Sequence, residues 1–300
     1  MSLEVNVCGL KLKNPLILAS GVLGISTAMF KRLSRVFGAL TTKSIGLKPR
    51  KGHRTPVVVP LEYGVLNSMG LPNPGVEEFS RVIREAKSKV NVPIIASVYG
   101  FTIREYVKTA FKLEEAGADA IELNLSCPHV GEIRAASQNP ELAGKIVSEV
   151  KPSLKVPLLV KLSAETCIVD VARECEKSGA DAIVAINTLK AVCIDIWSCK
   201  PVFKSIYCGL SGPAIKPVAI RCVYDLYEKV SIPIIGVGGI TSWEDIIEFM
   251  LAGASAVEIG TAIALKGIES FKEEIRHLSK YLVKKGFKSI SDIIGLAHKK

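Results

Sequence analysis

Residues 92–98 read VPIIASV, and residues 116–124 read AGADAIELN. The pair returns twice, as VPLLVKLS at 156–163 with SGADAIVAIN at 178–187, and as IPIIGVGG at 232–239 with AGASAVEIG at 252–260. Proline fits the first residue of a strand, because no ladder hydrogen bond is needed there. The segments lie about 20 residues apart, enough for one amphipathic helix with its loops. The repeat therefore predicts strands that alternate with helices.

Two further apolar runs complete a set of eight, at 15–20, 39–44, 93–98, 120–127, 157–163, 182–188, 233–239 and 256–261. They are nearly continuous and rich in β-branched residues, as is typical of strands buried on both faces. Helical segments are predicted between them, at 103–115, 141–151, 168–177, 219–229 and 243–251. Eight strands alternating with helices predict an α/β fold, a (β/α)8 TIM barrel that forms a single domain over residues 1–300.

The alternative fold is a doubly wound open sheet, which needs a glycine-rich turn of defined spacing after its first strand. SGVLG at 20–24 has two glycines without that spacing. VNVCGLKL at 5–12 alternates around Gly9 and predicts a hairpin that closes the N-terminal mouth of the barrel. Two connections, 45–91 and 189–217, are too long for simple loops. We expect them to build an active site at the C-terminal ends of the strands.

The composition is that of a globular protein, with 48% hydrophobic and 23% charged residues, which excludes a disordered or fibrous chain. The net charge is +10, but basic residues near the C-terminus alternate with acids at helical spacing and predict a solvated helix face. Aromatic residues are only 6%, and none are interleaved with basic runs, so nucleic acid binding is not favoured. No secretion signal or long apolar run is recognised, so a cytoplasmic protein with free thiols is expected, without membrane attachment.

Polar residues or glycines end nearly every apolar run, and in a barrel these ends converge on one face. Serine and threonine carry little weight there, because loops also begin at strand ends. Lys43 and Lys161 carry more weight, because each lies within an apolar run and a buried ammonium group needs a partner. We therefore expect both lysines to serve the function.

Glycines mark the last two predicted strands, as GVGG at 236–239 and GTA at 260–262. Backbone amides at these positions form a phosphate site in many barrels, and glycine lets the backbone approach an anion closely. The implied ligand is a phosphorylated substrate or a phosphorylated cofactor such as FMN.

Cys127 begins a polar loop at the open face, where a thiol is either a small buried hydrophobe or a reactive group. Its position favours the reactive interpretation. Cys193, Cys199 and Cys208 have a spacing unlike the usual zinc or iron–sulfur patterns, so no metal site is predicted.

Several longer motifs, taken together, resemble the class 1 dihydroorotate dehydrogenases. They occur in order from residue 14 to residue 262: NPLILASG, TTKS, LNSMGLPNPG, ELNLSCP, VKLS, INT, GLSGPAIKP, GVGGI and GTA. The resemblance implies an FMN enzyme that oxidises dihydroorotate to orotate in pyrimidine (UMP) biosynthesis. Cys127 matches the catalytic base of the family.

The resemblance also implies the binding residues. Those matching the FMN site are Ser20, Lys43, Ser44, Ser97, Asn124, Lys161, Ile186, Gly212, Gly238, Gly239, Gly260 and Thr261. Those matching the substrate site are Lys43, Asn67, Ser68, Met69, Gly70, Leu71, Asn124, Asn187 and Thr188. Ser97 stands where many relatives carry asparagine.

Two motifs, GLSGPAIKP and INTLKAVCIDI, are more similar to the class 1B enzymes than to the fumarate-reducing homodimers. Class 1B implies a partner subunit that carries FAD and an iron–sulfur cluster and uses NAD, in a homodimer or heterotetramer. Two alternatives stay open. One is another FMN barrel that acts on reduced pyrimidines, and the other is a non-catalytic flavin subunit of a larger complex.

Overall fold

A computed structural model describes residues 1–125, 136–164 and 167–299. The strands of these residues are β1 (Val5–Val7), β2 (Leu10–Leu12), β3 (Leu16–Leu18), β4 (Ala39–Thr41), β5 (Val58–Leu61), β6 (Gly64–Asn67), β7 (Ile94–Val98), β8 (Ala120–Asn124), β9 (Leu158–Leu162), β10 (Ala182–Ala185), β11 (Leu189–Val192), β12 (Ile194–Asp195), β13 (Lys200–Pro201), β14 (Tyr207–Ser211), β15 (Ile234–Val237) and β16 (Ala256–Ile259). The α-helices are α1 (Thr27–Leu33), α2 (Val76–Lys87), α3 (Ile103–Glu115), α4 (Pro140–Val150), α5 (Ile168–Lys177), α6 (Lys216–Tyr227), α7 (Trp243–Leu251), α8 (Thr261–Lys266) and α9 (Ser270–Lys285).

Eight parallel strands close into a barrel in the order β3, β4, β7, β8, β9, β10, β15 and β16. The last strand pairs with the first, with Val257 opposite Leu16, and this pairing closes the cylinder. Every residue of these strands is buried except Asn124, which is half-buried at the C-terminal end of β8. The predicted (β/α)8 barrel is confirmed, and the open-sheet alternative is wrong.

The repeat in the sequence corresponds to a repeated hydrogen bond. The second strands of the three repeated pairs are β8, β10 and β16, and the residues directly before them are Asp119, Asp181 and Ser255. Each donates its backbone N–H, at 2.8 Å, to the carbonyl of the first residue of β7, β9 or β15. The two aspartates add a second contact, because each carboxylate accepts the N–H of that same first residue. The residues that follow the Gly-Ala turns thus join neighbouring strands at the N-terminal end of the barrel.

The helix predictions at 103–115, 168–177 and 243–251 agree with the bounds of α3, α5 and α7. Helix α7 begins with a capping box of Ser242 and Asp245. Helix α6 begins three residues before the predicted 219, because Pro217 fits the first turn of a helix. Helix α9 carries the alternating charges that predicted a solvated face.

The hairpin of β1 and β2 is present, with Val7 opposite Leu10. The Cys8 thiol in its turn donates to the carbonyl of Asp181, at the N-terminal end of β10, as expected for a cover of that mouth. Both long connections follow C-terminal strand ends. Four of their strands form one antiparallel sheet in the order β11, β14, β6 and β5, and β12 pairs with β13 in a separate sheet. No helix of the described ranges is long and apolar enough to cross a membrane.

Asp181 provides a test of the repeated contact. Its carboxylate accepts the Leu158 N–H at 2.7 Å and the Lys151 ammonium at 2.5 Å, and it is about two thirds buried. We expect Asp181→Ala to lower the free energy of unfolding by about 1–2 kcal/mol, because a charge-assisted acceptor is lost. Urea unfolding measures the change. Asp225→Ala is the matched control, because Asp225 forms only an exposed pair with Arg221, which is worth about 0.3–0.5 kcal/mol. Equal losses in both variants would contradict the prediction.

Candidate active site

A chain of hydrogen-bonded side chains crosses the C-terminal mouth of the barrel. The Ser97 and Ser44 hydroxyls lie 2.9 Å apart. Asn124 Nδ2 donates to Ser44 Oγ at 3.2 Å, and Asn187 Nδ2 donates to Asn124 Oδ1 at 3.2 Å. Strands β4, β7, β8 and β10 carry or precede these four residues. The fold thus brings together polar side chains that lie as far as 143 positions apart along the chain (44 to 187).

Asn67 and Thr188 meet at Gly209 on β14. Asn67 Nδ2 donates to the Gly209 carbonyl at 3.3 Å. A Cβ on Gly209 would lie 2.3 Å from Thr188 Oγ1, so the hydroxyl packs directly on this glycine. The two long connections therefore bring predicted substrate residues from β6 and β11 to one place.

The segment from Ser68 to Leu71 is held by neighbouring loops. The Ser68 hydroxyl lies 2.5 Å from the Ser205 hydroxyl and 3.1 Å from His53 Nδ1. The carbonyl of Met69 accepts the His53 N–H, and the carbonyl of Gly70 accepts Arg50 Nε at 2.8 Å. These contacts fix the segment at the edge of the inserted sheet.

Lys43 follows β4 at the mouth and is half-buried. Within residues 1–125, 136–164 and 167–299, no carboxylate lies within ion-pair distance of its ammonium group. Burial lowers the pKa of this lysine, because desolvation disfavours the charged form. An anionic ligand would supply the missing partner.

Lys161 has a different environment, although it too lies within a strand. The residue is 4% exposed, and its ammonium group donates to Glu258 Oε2 at 2.5 Å and to Ser20 Oγ at 3.3 Å. Thr41 Oγ1 donates to the other oxygen of Glu258 at 3.2 Å. Burial alone lowers the pKa of Lys161, but the charges of Glu122 and Glu258 outweigh it, and the net shift is upward. This lysine is therefore held as a cation.

Glu122 and Glu258 are site residues that the sequence analysis missed. Both are essentially inaccessible, and Glu122 Oε2 lies 3.7 Å from the Lys161 ammonium. Burial and the neighbouring Glu122 raise the pKa of Glu258. A signal was available, because both glutamates occupy the seventh position of the repeat, in AGADAIELN and AGASAVEIG, where an acid interrupts an apolar run.

The glycines of the last strands leave no room for side chains. Gly238 and Gly239 have φ angles of 123° and 78°, which favour glycine. A Cβ on Gly239 would lie 2.7 Å from the backbone nitrogen of Lys216, at the start of α6. Thr261 begins α8 directly after Gly260, and its hydroxyl donates to, or accepts from, the Ser211 hydroxyl at 2.8 Å, next to Gly212.

These residues fit a phosphorylated, anionic cofactor. The backbone at Gly260 is open, because a Cβ there would meet only the Ala19 and Val22 side chains at 3.4 and 3.9 Å, and Lys43 lacks a described counter-ion. Ile186 is buried, and its N–H donates to the Val237 carbonyl, which links the end of β10 to β15. Cys127 lies outside the described residues. No group of three or more potential metal ligands occurs among the residues that the structure describes.

Comparisons with known proteins were made over the whole chain. A family model described as "Dihydroorotate dehydrogenase" matches residues 2–282. The chain is 47% identical over 300 residues to the "Dihydroorotate dehydrogenase B (NAD(+)), catalytic subunit" of Pyrococcus abyssi, covering 99% of each chain. It is 49% identical over 302 residues to the protein of the same name from Methanocella arvoryzae, covering 100% of this chain and 99% of the relative. It is 46% identical to that of Pyrococcus furiosus, over the full length of both.

Lys43 is desolvated and has no carboxylate within ion-pair distance among the described residues, so we expect it to lower the stability of the ligand-free protein. We expect Lys43→Met to raise the free energy of unfolding by about 1 kcal/mol, because a desolvated cation that lacks a described ion-pair partner is removed. The folded-state pKa lies below the unperturbed value of 10.5, so the penalty is present at neutral pH. The advantage of the variant should therefore fade as the pH rises towards 10.5.

Thermal unfolding of ligand-free protein measures this effect, with Lys31→Met on the exposed face of α1 as control. An anionic ligand should reverse the order, so that the parent becomes the more stable protein. A clear loss of stability in ligand-free Lys43→Met would show that the ammonium group has a partner.

Proposed function

Because this chain belongs to the dihydroorotate dehydrogenase family, we propose that it oxidises dihydroorotate to orotate with FMN as its bound cofactor. This reaction is the oxidation step of pyrimidine biosynthesis. The observation that carries the proposal is the mouth of the barrel, where a half-buried lysine without a described counter-ion adjoins a chain of hydrogen-bonded serine and asparagine side chains.

The flavin would lie along the C-terminal mouth of the barrel. The residues that would hold it are Ser20, Lys43, Ser44, Ser97, Asn124, Lys161, Ile186, Gly212, Gly238, Gly239, Gly260 and Thr261. The glycines would admit the phosphate close to the backbone, and Lys161 would present a cation to the ring system. When bound, FMN supplies the acceptor for the hydride of the substrate.

The substrate would lie between the flavin and the inserted sheet. Asn67, Asn124 and Asn187 carry both donors and acceptors, which suit the alternating donor and acceptor edge of a pyrimidine. Lys43 would pair with its carboxylate. Thr188 and the segment from Ser68 to Leu71 would close the site from the side of the two long connections.

Cys127 is the proposed base. Oxidation of dihydroorotate removes a proton from one ring carbon and a hydride from its neighbour, and the proton needs an acceptor on the face opposite the flavin. A thiolate can take this proton, and the motif of residues 122–128, ELNLSCP, provides the thiol.

The electrons would leave through a partner. The relatives are named catalytic subunits and carry NAD(+) in their names, whereas this chain has no dinucleotide-binding fingerprint. We infer a partner subunit with FAD and an iron–sulfur cluster, in a cytoplasmic assembly. A homodimer of the catalytic chain, alone or within a heterotetramer, is the expected arrangement.

The function is tested by the absorption spectrum of the purified chain. Acid should release FMN, and anaerobic addition of dihydroorotate should bleach the flavin within one turnover, whereas dihydrouracil should not. The chain alone should then reduce artificial dyes but not NAD, because NAD binding requires the partner. Bleaching by dihydrouracil in place of dihydroorotate would assign the chain to another reaction on reduced pyrimidines. Rapid reduction of NAD by the single chain would remove the need for the partner.

The role of Cys127 is tested by stopped-flow bleaching. Cys127→Ala should bind FMN and orotate normally but bleach roughly 10²–10⁴-fold more slowly, the usual contribution of a general base. In the parent, the rate should rise with pH and level off above the pKa of the thiol, which is about 8.5 for an unperturbed cysteine. Cys127→Ser should retain part of the activity. Cys199→Ala, at an exposed cysteine, is the control and should leave the rate and its pH profile unchanged. A parental rate and profile in Cys127→Ala would place the base elsewhere.

A further inference from the structure

The interior of the barrel contains three ionisable groups in contact. Lys161 from β9 is 4% exposed, Glu258 from β16 is 1% exposed, and Glu122 from β8 is fully buried. The ammonium group lies 2.5 Å from one oxygen of Glu258 and 3.7 Å from one oxygen of Glu122. Two carboxylates and one ammonium group, if all were ionised, would leave one excess negative charge in the barrel.

The neighbours of this cluster do not balance that charge. Thr41 from β4 donates a hydroxyl to Glu258, and Ser20 after β3 accepts from Lys161, but both are neutral. In the described part of the chain, the charges that act on Lys161 and Glu258 are those of the cluster itself. An uncompensated buried charge is strongly unfavourable, and a buried carboxyl group takes up a proton to avoid it.

The hydrogen bonds lead to the same requirement. As a carboxylate, Glu122 is an acceptor only, and neither of its buried oxygens has a hydrogen-bond partner among the described residues. The carboxyl group of Glu258 lies against the same ammonium group as that of Glu122. Two carboxyl groups can hydrogen-bond to each other only if one carries a proton. A single proton therefore satisfies Glu122 and removes the excess charge.

We propose that Glu122 and Glu258 share one proton, so that the cluster is electrically neutral and Glu258 positions Lys161 as a full cation for the flavin. The part that concerns the flavin rests on the proposed function. Glu122 and Glu258 are positioning residues, because they act through Lys161. The net charge near the flavin is then set by the pair together rather than by either glutamate.

Glutamine variants distinguish a shared proton from two ionised glutamates. With a shared proton, Glu122→Gln and Glu258→Gln each leave one carboxylate against Lys161, and the net charge stays zero. In the double variant Lys161 has no counter-ion, so burial favours its neutral form and the net charge again stays near zero. With two ionised glutamates, each single variant would already make the cluster one charge more positive.

The measurement is the flavin midpoint potential of the purified, flavin-loaded protein at neutral pH. We expect each single variant to change the relative affinity for reduced and oxidised flavin less than twofold. Two ionised glutamates would instead make each single variant favour the reduced form at least tenfold, which is about 30 mV for a two-electron couple. Thr41→Val, which removes a neutral donor to Glu258, is the control and should not move the potential. A shift of about 30 mV or more in either single variant would overturn the proposal.

Infrared spectroscopy gives a readout that does not depend on the flavin. At neutral pH, where exposed acids are ionised, the parent should show the C=O band of a protonated buried carboxyl group, sensitive to D2O. Both single variants should lose this band, because the remaining glutamate ionises against Lys161. A parent without the band, or a band that persists in both single variants, would overturn the proposal. If the double variant does not fold, the spectra of the single variants decide. If the chain proves not to bind FMN or oxidise dihydroorotate, the proposed function fails, but the band still tests the shared proton.

Discussion

A closed barrel of eight parallel strands has a packed interior, so an inward-pointing polar side chain must find a partner within the barrel or at its mouth. This constraint governs the two lysines of the site. Lys161 meets it inside, through Glu258 and Ser20. Lys43 has no carboxylate partner in the described part of the molecule and lies at the mouth. The chemistry of the site follows from this difference, because the cation left without a counter-ion is the one available to an anionic ligand.

The polar residues at the C-terminal mouth of the barrel and those at its N-terminal end have different roles. Asp119 and Asp181 lie before their strands and bind backbone amides of the neighbouring strands, so they hold the barrel together. Ser44, Asn124 and Asn187 lie at or after the C-terminal ends and bind one another. The polar residues that hold the strands together and those that gather at the mouth therefore occupy opposite ends of the barrel.

The sequence predicted the barrel strands and several helices because local signals coincide there. Helix α3 begins after Thr102, whose side chain caps it, and ends before the turn at Gly117. Helix α2 was not predicted, although Val76, Phe79 and Ile83 give it a regular apolar stripe, because the whole connection was interpreted as one insertion that builds the active site. The residues at the mouth were identified from strand ends and from the family resemblance. Their hydrogen-bonded order was not, because it depends on which strands are neighbours in space.

Glu122 and Glu258 were not predicted as site residues, and the reason is different. An acid inside an apolar run indicates a buried charge that needs a partner, but the partner lies on another strand and cannot be identified from the neighbouring sequence. The second copy of the repeat, SGADAIVAIN, carries Val184 at the same position, and this valine is fully buried. An apolar residue therefore fits this position of the barrel, and replacing buried ionic groups by well-packed apolar ones is often neutral or stabilising. The packing of the barrel interior therefore does not explain why two glutamates occupy this position. Their presence around Lys161 is explained by what they do to the lysine, since they raise its pKa against the effect of burial and keep it charged.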